Sequence, residues 1–125
     1  MSDLKRLEVK YLRDGAKSAY KKDIECYICG KTEELQLHHF NSITILWENW
    51  KAKKGITIDS VDDIMNIRDE FVEVHHDEMY HEVVTLCKFH HMDRLHKVYG
   101  KSPALHTAKK QKNWCSIRRK KEYKT

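Results

Sequence analysis

The chain is predicted to fold as an α+β domain in which two short β arms and a helix gather around a metal knuckle. Three observations carry that prediction. Cys26 and Cys29 form a Cys-x2-Cys pair, and Cys87 and His90 form a Cys-x2-His pair. Each pair adjoins a short run of strand character, and the stretch between them has helical periodicity. Four thiol and imidazole donors at these spacings suit a tetrahedral zinc. The expected organisation is a single domain over 1–125. It comprises an N-terminal helical segment (1–25), the zinc knuckle and first strand (26–39), a helical insert (42–80), a second strand and metal-binding helix (82–100), and a basic C-terminal tail (101–125).

The N-terminal segment reads as a helix over 3–22, with Leu4, Leu7, Tyr11 and Leu12 apolar and an interruption near Asp14-Gly15. Lys17, Lys21 and Lys22 then lead into Cys26, and Gly30 suits the positive-φ turn after the Cys pair. The alternation of Glu34-Leu35-Gln36-Leu37-His38-His39 is that of a strand with Leu35 and Leu37 inward and the two histidines facing opposite ways.

In the insert, Ser42 is placed to cap a helix carrying Ile43, Leu46, Trp47 and Trp50, which stops near Gly55. Asp59 or Ser60 starts a second helix with Val61, Ile64, Phe71 and Val74 on one stripe, and its carboxylates form a solvated face. His75, His76 and His81 fall near that helix end, where the dipole favours them structurally. The run Glu82 to Leu86 is β-branched and pairs antiparallel with the first strand. Helical spacing after Cys87 ends at Tyr99-Gly100, before Pro103. Cys115 reads as a free thiol.

Composition bounds the function. A chain of 125 residues, 40% hydrophobic with one proline and four glycines, is neither low-complexity nor disordered. Its core is small, so zinc serves as a structural staple. Cysteines in metal spacing point to a reducing compartment, and neither a signal peptide nor an eighteen-residue apolar run is present, so a cytoplasmic protein without a membrane segment is expected. Charge is segregated. Residues 101–125 hold nine Lys or Arg against the single acid Glu122, a net of +8, whereas residues 56–82 hold nine Asp or Glu against Arg68, a net of −8. Such a tail suits phosphate backbones, with Lys109, Lys110, Lys112, Arg118, Arg119, Lys120 and Lys121 as the nucleic-acid-binding candidates; the alternatives are a solubilising tail or one that folds back on the acidic segment. Once Cys26, Cys29, Cys87 and His90 are assigned to zinc, His38, His39 and His91 are left over for a second, catalytic metal.

The segments CYICG, LQLHH and VVTLCKFHH followed by LHKVYG resemble the HNH nucleases of the ββα-metal class, especially small phage-encoded and homing-type members with a helical insert. The resemblance covers roughly residues 20–103. It implies a ββα-metal core, DNA as substrate, and residence in the host cell if phage-encoded. By position it makes His38 and His91 ligands of a catalytic Mg²⁺ or Mn²⁺, and His39 the general base. Hydrolysis of a phosphodiester needs an activated water, a Lewis acid and positive charge at the transition state, all of which that set supplies. One site per chain makes nicking the default, and cutting both strands would need a homodimer or two encounters.

Two positions depart from the family pattern. Its usual middle Asn falls on Glu82, which could orient backbone or His39. His91 and His96 are five apart, about 140° round a regular helix. Either the helix starts irregularly, or the zinc set uses His91 in place of His90, or His96 contacts phosphate. A two-histidine ion completed by water, with His96 in reserve, is the expectation. A zinc-stabilised nucleic-acid-binding module without catalysis, or an interaction protein using the acidic insert, are the alternatives.

Overall fold

The computed structural model describes residues 2–16 and 20–124, with side chains from Leu7 onward. The insert between the two β arms builds a core of its own. Helix α2 (Ile43–Lys54) begins because Ser42 Oγ accepts the Ile45 N–H at 3.3 Å, and it ends at Gly55, whose φ of 66° is the left-handed conformation that glycine adopts without penalty. Helix α3 (Val61–Val74) opens with a capping box, Ser60 taking the Asp63 N–H while the Asp63 carboxylate accepts from the Ser60 backbone. Trp47, Trp50 and Phe71 meet there edge-on and stacked, and Leu12 and Ala16 of α1 (Ser2–Ala16) close over them. Glu8 is buried against this core but paired: it accepts from Trp47 Nε1 at 2.9 Å and Lys51 Nζ at 2.7 Å.

A second cluster forms around the metal knuckle. Strands β1 (Leu35–His39) and β2 (Val83–Cys87) pair antiparallel, from Leu35 opposite Cys87 to His39 opposite Val83, as the alternating pattern predicts. Cys26, Ile28, Phe40, Leu86, Leu95 and Cys115 pack around that sheet. After β2 the chain winds a π-helical turn, Phe89–Leu95, that runs into α5 (His96–Tyr99) and ends at Gly100. None of the described helices is long and apolar enough to cross a membrane.

Four expectations are corrected. Helix α1 ends at Ala16 and residues 20–23 are irregular; Lys17 and the Leu4 side chain lie outside the described residues. The insert carries three helices, since His75 closes α3 and a short α4 (His76–Tyr80) follows. Val74 is 57% exposed, so the buried stripe of α3 rests on Ile64 and Phe71. The basic stretch is no free tail: after a 3₁₀ turn at Leu105–Thr107 it forms α6 (Ala108–Glu122), a segment free of Gly and Pro and rich in good helix formers. Helix α6 packs on the knuckle through fully buried Gln111 and Cys115.

Candidate metal centre

Cys26, Cys29, Cys87 and His90 converge, with all four donor atoms within 4.8 Å of one another. Cys29 Sγ lies 3.9 Å from Cys87 Sγ, and His90 Nδ1 lies 3.3 Å and 4.0 Å from the thiols of Cys87 and Cys26. A tetrahedral ion with bonds of about 2.3 Å to sulfur requires edges of about 3.8 Å, so the donors fit one. Gly30, with φ 79°, allows its N–H to reach the Cys26 carbonyl at 2.9 Å and closes the knuckle. Burial works to raise the Cys26 thiol, but the backbone N–H groups of Cys29, Cys87 and Ile28 outweigh it and hold it below its ordinary range. Those amides favour the thiolate that a metal needs. Cys29 moves the other way, pushed up to about 11 mainly by burial. The residue that stands with the three cysteines is His90, not His91, the arrangement expected of the Cys87-x2-His90 pair.

His38, His91 and His96 form a second group. The π-turn is what brings His96 in. Its backbone N–H bonds the His91 carbonyl, five residues back, and this wider winding places His96 Nε2 3.0 Å from His91 Nε2. His38 Nδ1 lies 3.1 Å from His91 Nε2. His96, held in reserve on the sequence reading, thus stands beside His38 and His91. An ion with nitrogen bonds of about 2.1 Å has edges of about 3.0 Å at right angles and about 3.4 Å at tetrahedral angles, and the two spacings to His91 match the former.

Each ring's other nitrogen is held by an oxygen. Gln111 Nε2 donates to the Phe40 carbonyl at 3.1 Å, so its Oε1 must face His38 and accept from Nε2–H at 2.7 Å. His91 Nδ1 donates to Gln36 Oε1 at 2.8 Å, and His96 Nδ1 to the Gly100 carbonyl at 2.7 Å. Lone pairs are thereby left on His38 Nδ1, His91 Nε2 and His96 Nε2, the three nitrogens that lie together. Burial lowers His38 to about 4 and His91 to about 3, the latter helped by its histidine neighbours, so both rings are neutral and able to act as ligands at neutral pH.

His39 faces the other side of β1. Its Nε2–H donates to the Met79 carbonyl at 2.9 Å, which leaves the Nδ1 lone pair unprotonated, and its ring lies against Tyr20. Burial lowers it to about 4. Although His38 and His39 point apart, both line one cleft of about 830 Å³ with His91 and His96. Arg13, Lys97 and Lys101 line the same cleft. Glu82 does not touch His39. Its carbonyl accepts from Phe40 N at 3.1 Å and its carboxylate from Asn41, so it fastens the chain just beyond β1.

Of the basic residues expected to meet nucleic acid, Lys109, Lys110, Lys112, Lys120 and Lys121 are exposed on α6. Arg119 is turned inward, donating to the Tyr27 carbonyl at 2.6 Å and stacking 3.8 Å above the Tyr123 ring, and Arg118 lies over Trp114. Cys115 is pushed up to about 12 by burial and stays a thiol outside the tetrad. His76, Asp77 and His81 form an exposed trio in which His81 bonds Asp77 at 3.0 Å, an ordinary helical i,i+4 contact.

Sequence reading missed Gln36, Gln111, Arg13, Lys97, Lys101 and the carbonyls of Met79 and Gly100. Gln36 had a signal, since a period of two puts it on the His38 face of β1. Gln111 sits among lysines on a stretch read as a tail, and backbone carbonyls have no letter at all.

No solved structure matches the chain. The sequence profile of the phage T5 type in the nicking endonuclease family matches residues 2–125, essentially end to end. The chain therefore belongs to the nicking endonuclease family, whose name is that of an enzyme that opens one strand of DNA.

Proposed function

We propose that the protein is a metal-dependent endonuclease of the HNH, or ββα-metal, class that nicks DNA. The observation that carries the reading is the convergence of three oriented imidazoles, His38 and His96 each within 3.1 Å of His91 Nε2, in a cleft that also holds His39 and three cations. Cys26, Cys29, Cys87 and His90 hold a structural zinc, which locks β1 and β2 to the helix that follows. His38, His91 and His96 hold the catalytic ion. Its role is Lewis-acid stabilisation of the scissile phosphate and the departing oxygen. Three nitrogen donors suit Mn²⁺ or a similar borderline ion better than Mg²⁺, which prefers oxygen.

The remaining chemistry belongs to the chain's own side chains. His39, tied by Met79 at Nε2, takes the proton of the attacking water at Nδ1. Burial keeps it neutral before substrate arrives, and the charge of the incoming phosphodiester then favours its protonated form. Arg13, Lys97 and Lys101 neutralise the backbone on either side of the scissile bond, and the exposed lysines of α6 extend that contact. One cleft per chain yields one cut, so a single protomer opens one strand.

The test is conversion of supercoiled plasmid to open circles. Zinc-loaded protein stripped of the catalytic ion should nick when given Mn²⁺, chelator should stop it, and His39→Ala should be inactive in the same mixture. Nicking that persists in chelator, or none with any divalent ion, overturns the reading.

A further inference from the structure

Helix α6 touches both metal groups. Gln111 and Glu122 are eleven residues apart, which is about 1100° of helix and within about 20° of three full turns. Both side chains therefore leave α6 on one face, roughly 16 Å apart along its axis. At one end Gln111, fully buried, accepts from His38 Nε2 at 2.7 Å while its amide donates to the Phe40 carbonyl and Thr107 Oγ1. At the other end the Glu122 carboxylate accepts from His90 Nε2 at 3.1 Å. Glu122 is the one acid in residues 101–125 and the last residue of the helix, where the carbonyl end disfavours negative charge. There it pairs with Arg118 at 3.9 Å within the helix and with His90 beyond it.

We propose that α6 is a positioning helix shared by the two metal centres, Gln111 setting the ring of His38 for the catalytic ion and Glu122 setting the ring of His90 for zinc. The proposal rests on the two-metal reading above. It gives the C-terminal stretch a task that its charge does not suggest. In each case the oxygen fixes which nitrogen carries the proton, so the other presents a lone pair without a reorganisation step. Loss of such a partner typically weakens metal binding about 10- to 100-fold.

The experiment is a crossed comparison on the full chain. Mn²⁺ affinity is read by titration calorimetry of zinc-loaded protein, zinc retention by the rate of transfer to a chromophoric chelator, and stability by thermal melting. Gln111→Met should weaken Mn²⁺ about 10- to 100-fold and leave zinc transfer unchanged. Glu122→Ala should speed zinc transfer and leave Mn²⁺ affinity unchanged. Gln111→Glu separates positioning from packing. It keeps an acceptor for His38 but sets a carboxylate oxygen against the Phe40 carbonyl, so it should melt earlier yet bind Mn²⁺ within a few-fold of wild type. If Mn²⁺ affinity instead falls in both Gln111 variants in step with melting temperature, or if Glu122→Ala does not change zinc transfer, the positioning role is overturned. His38→Ala tells the two levels apart. If it leaves Mn²⁺ binding intact, the three-histidine site itself is wrong; if it abolishes binding while Gln111→Met does not, only the role of α6 fails.

Discussion

Deleting Met92 should leave the catalytic ion in place, although it changes the spacing of two of its ligands. In the native chain His91 and His96 are five residues apart, which in a regular α-helix is about 500° and leaves them about 140° out of line. The π-turn, with its N–H of His96 on the His91 carbonyl, winds roughly 4.4 residues per turn and brings the same five residues to about 410°. Removing one residue and letting the turn relax to an α-helix gives four residues at 100° each, about 400°. The two rings then keep nearly the same angular relation, and Leu95, fully buried, keeps its direction into the knuckle core. Met92 is the residue to remove because it is uncharged, 49% exposed and outside both core clusters, although it lines the cleft beside His91. The expected result is Mn²⁺ affinity within about tenfold of wild type, less than the full loss of an anchored ligand partner would cost, and a melting temperature equal or higher. Calorimetric titration of zinc-loaded protein measures the first and circular dichroism the second. His96→Ala is the companion variant and should bind Mn²⁺ far more weakly. A folded, zinc-replete Met92 deletion that binds as poorly as His96→Ala would refute the argument that the π-turn is simply the way a five-residue spacing is brought onto one face.

His39→Ala should abolish nicking with fold, zinc content and DNA affinity intact, and exogenous imidazole should partly restore it, whereas His38→Ala and His91→Ala should respond to excess Mn²⁺ and not to imidazole; equal rescue of all three by metal would remove His39 from the role of base. Cys87→Ser should yield an unfolded chain, since about 10–16 kcal/mol of zinc binding exceeds or matches the roughly 5–15 kcal/mol by which small domains are stable; a cooperative melt with native helix content would contradict this. In zinc-loaded protein without the catalytic ion, acid should destabilise the fold early. His38 and His39 are lowered to about 4 and His91 to about 3, chiefly by burial, against roughly 6.5 in the unfolded chain. Folded values below unfolded ones mean that their contribution is full above about pH 6.5 and is lost as the pH falls toward 4. Near pH 5 the slope approaches about 4 kcal/mol per pH unit for three protons, and a melting temperature that stays flat from pH 7 to 5 would refute it. Removing residues 104–125 should destabilise the whole knuckle region rather than clip a tail, because Gln111 and Cys115 are core; an unchanged melting curve for the truncated chain would count against that packing.

The convergence of the three cysteines with His90 and the pairing of both strands were legible because their determinants are local. A Cys-x2-Cys pair closes its own turn, and a period of two needs only neighbouring letters, so Leu35 to His39 and Val83 to Cys87 could be paired before any tertiary contact was known. The caps at Ser42, Gly55 and Ser60 were legible for the same reason. What could not be read is whatever depends on a segment arriving from elsewhere. Gln111 meets His38 across 73 residues, and nothing in KKQKNW marks it as a partner for an imidazole.

His96 is the instructive intermediate case. Its distance of five from His91 counts against a shared site only if the helix is assumed regular, and the assumption rather than the spacing was at fault. A single extra residue in a helix must either rotate everything after it by about 100° or be absorbed as a π-turn. Here rotation would take Leu95 out of the core and His96 away from the ion, so the wider turn retains both a buried leucine and, on the reading proposed, a third ligand. Glu122 is the contrasting case. The carboxylate at the carbonyl end of α6 opposes the helix dipole but pairs with Arg118 one turn back at 3.9 Å, so the letters RRKKE account for it locally, and its bond to His90 is a tertiary contact that the letters do not name.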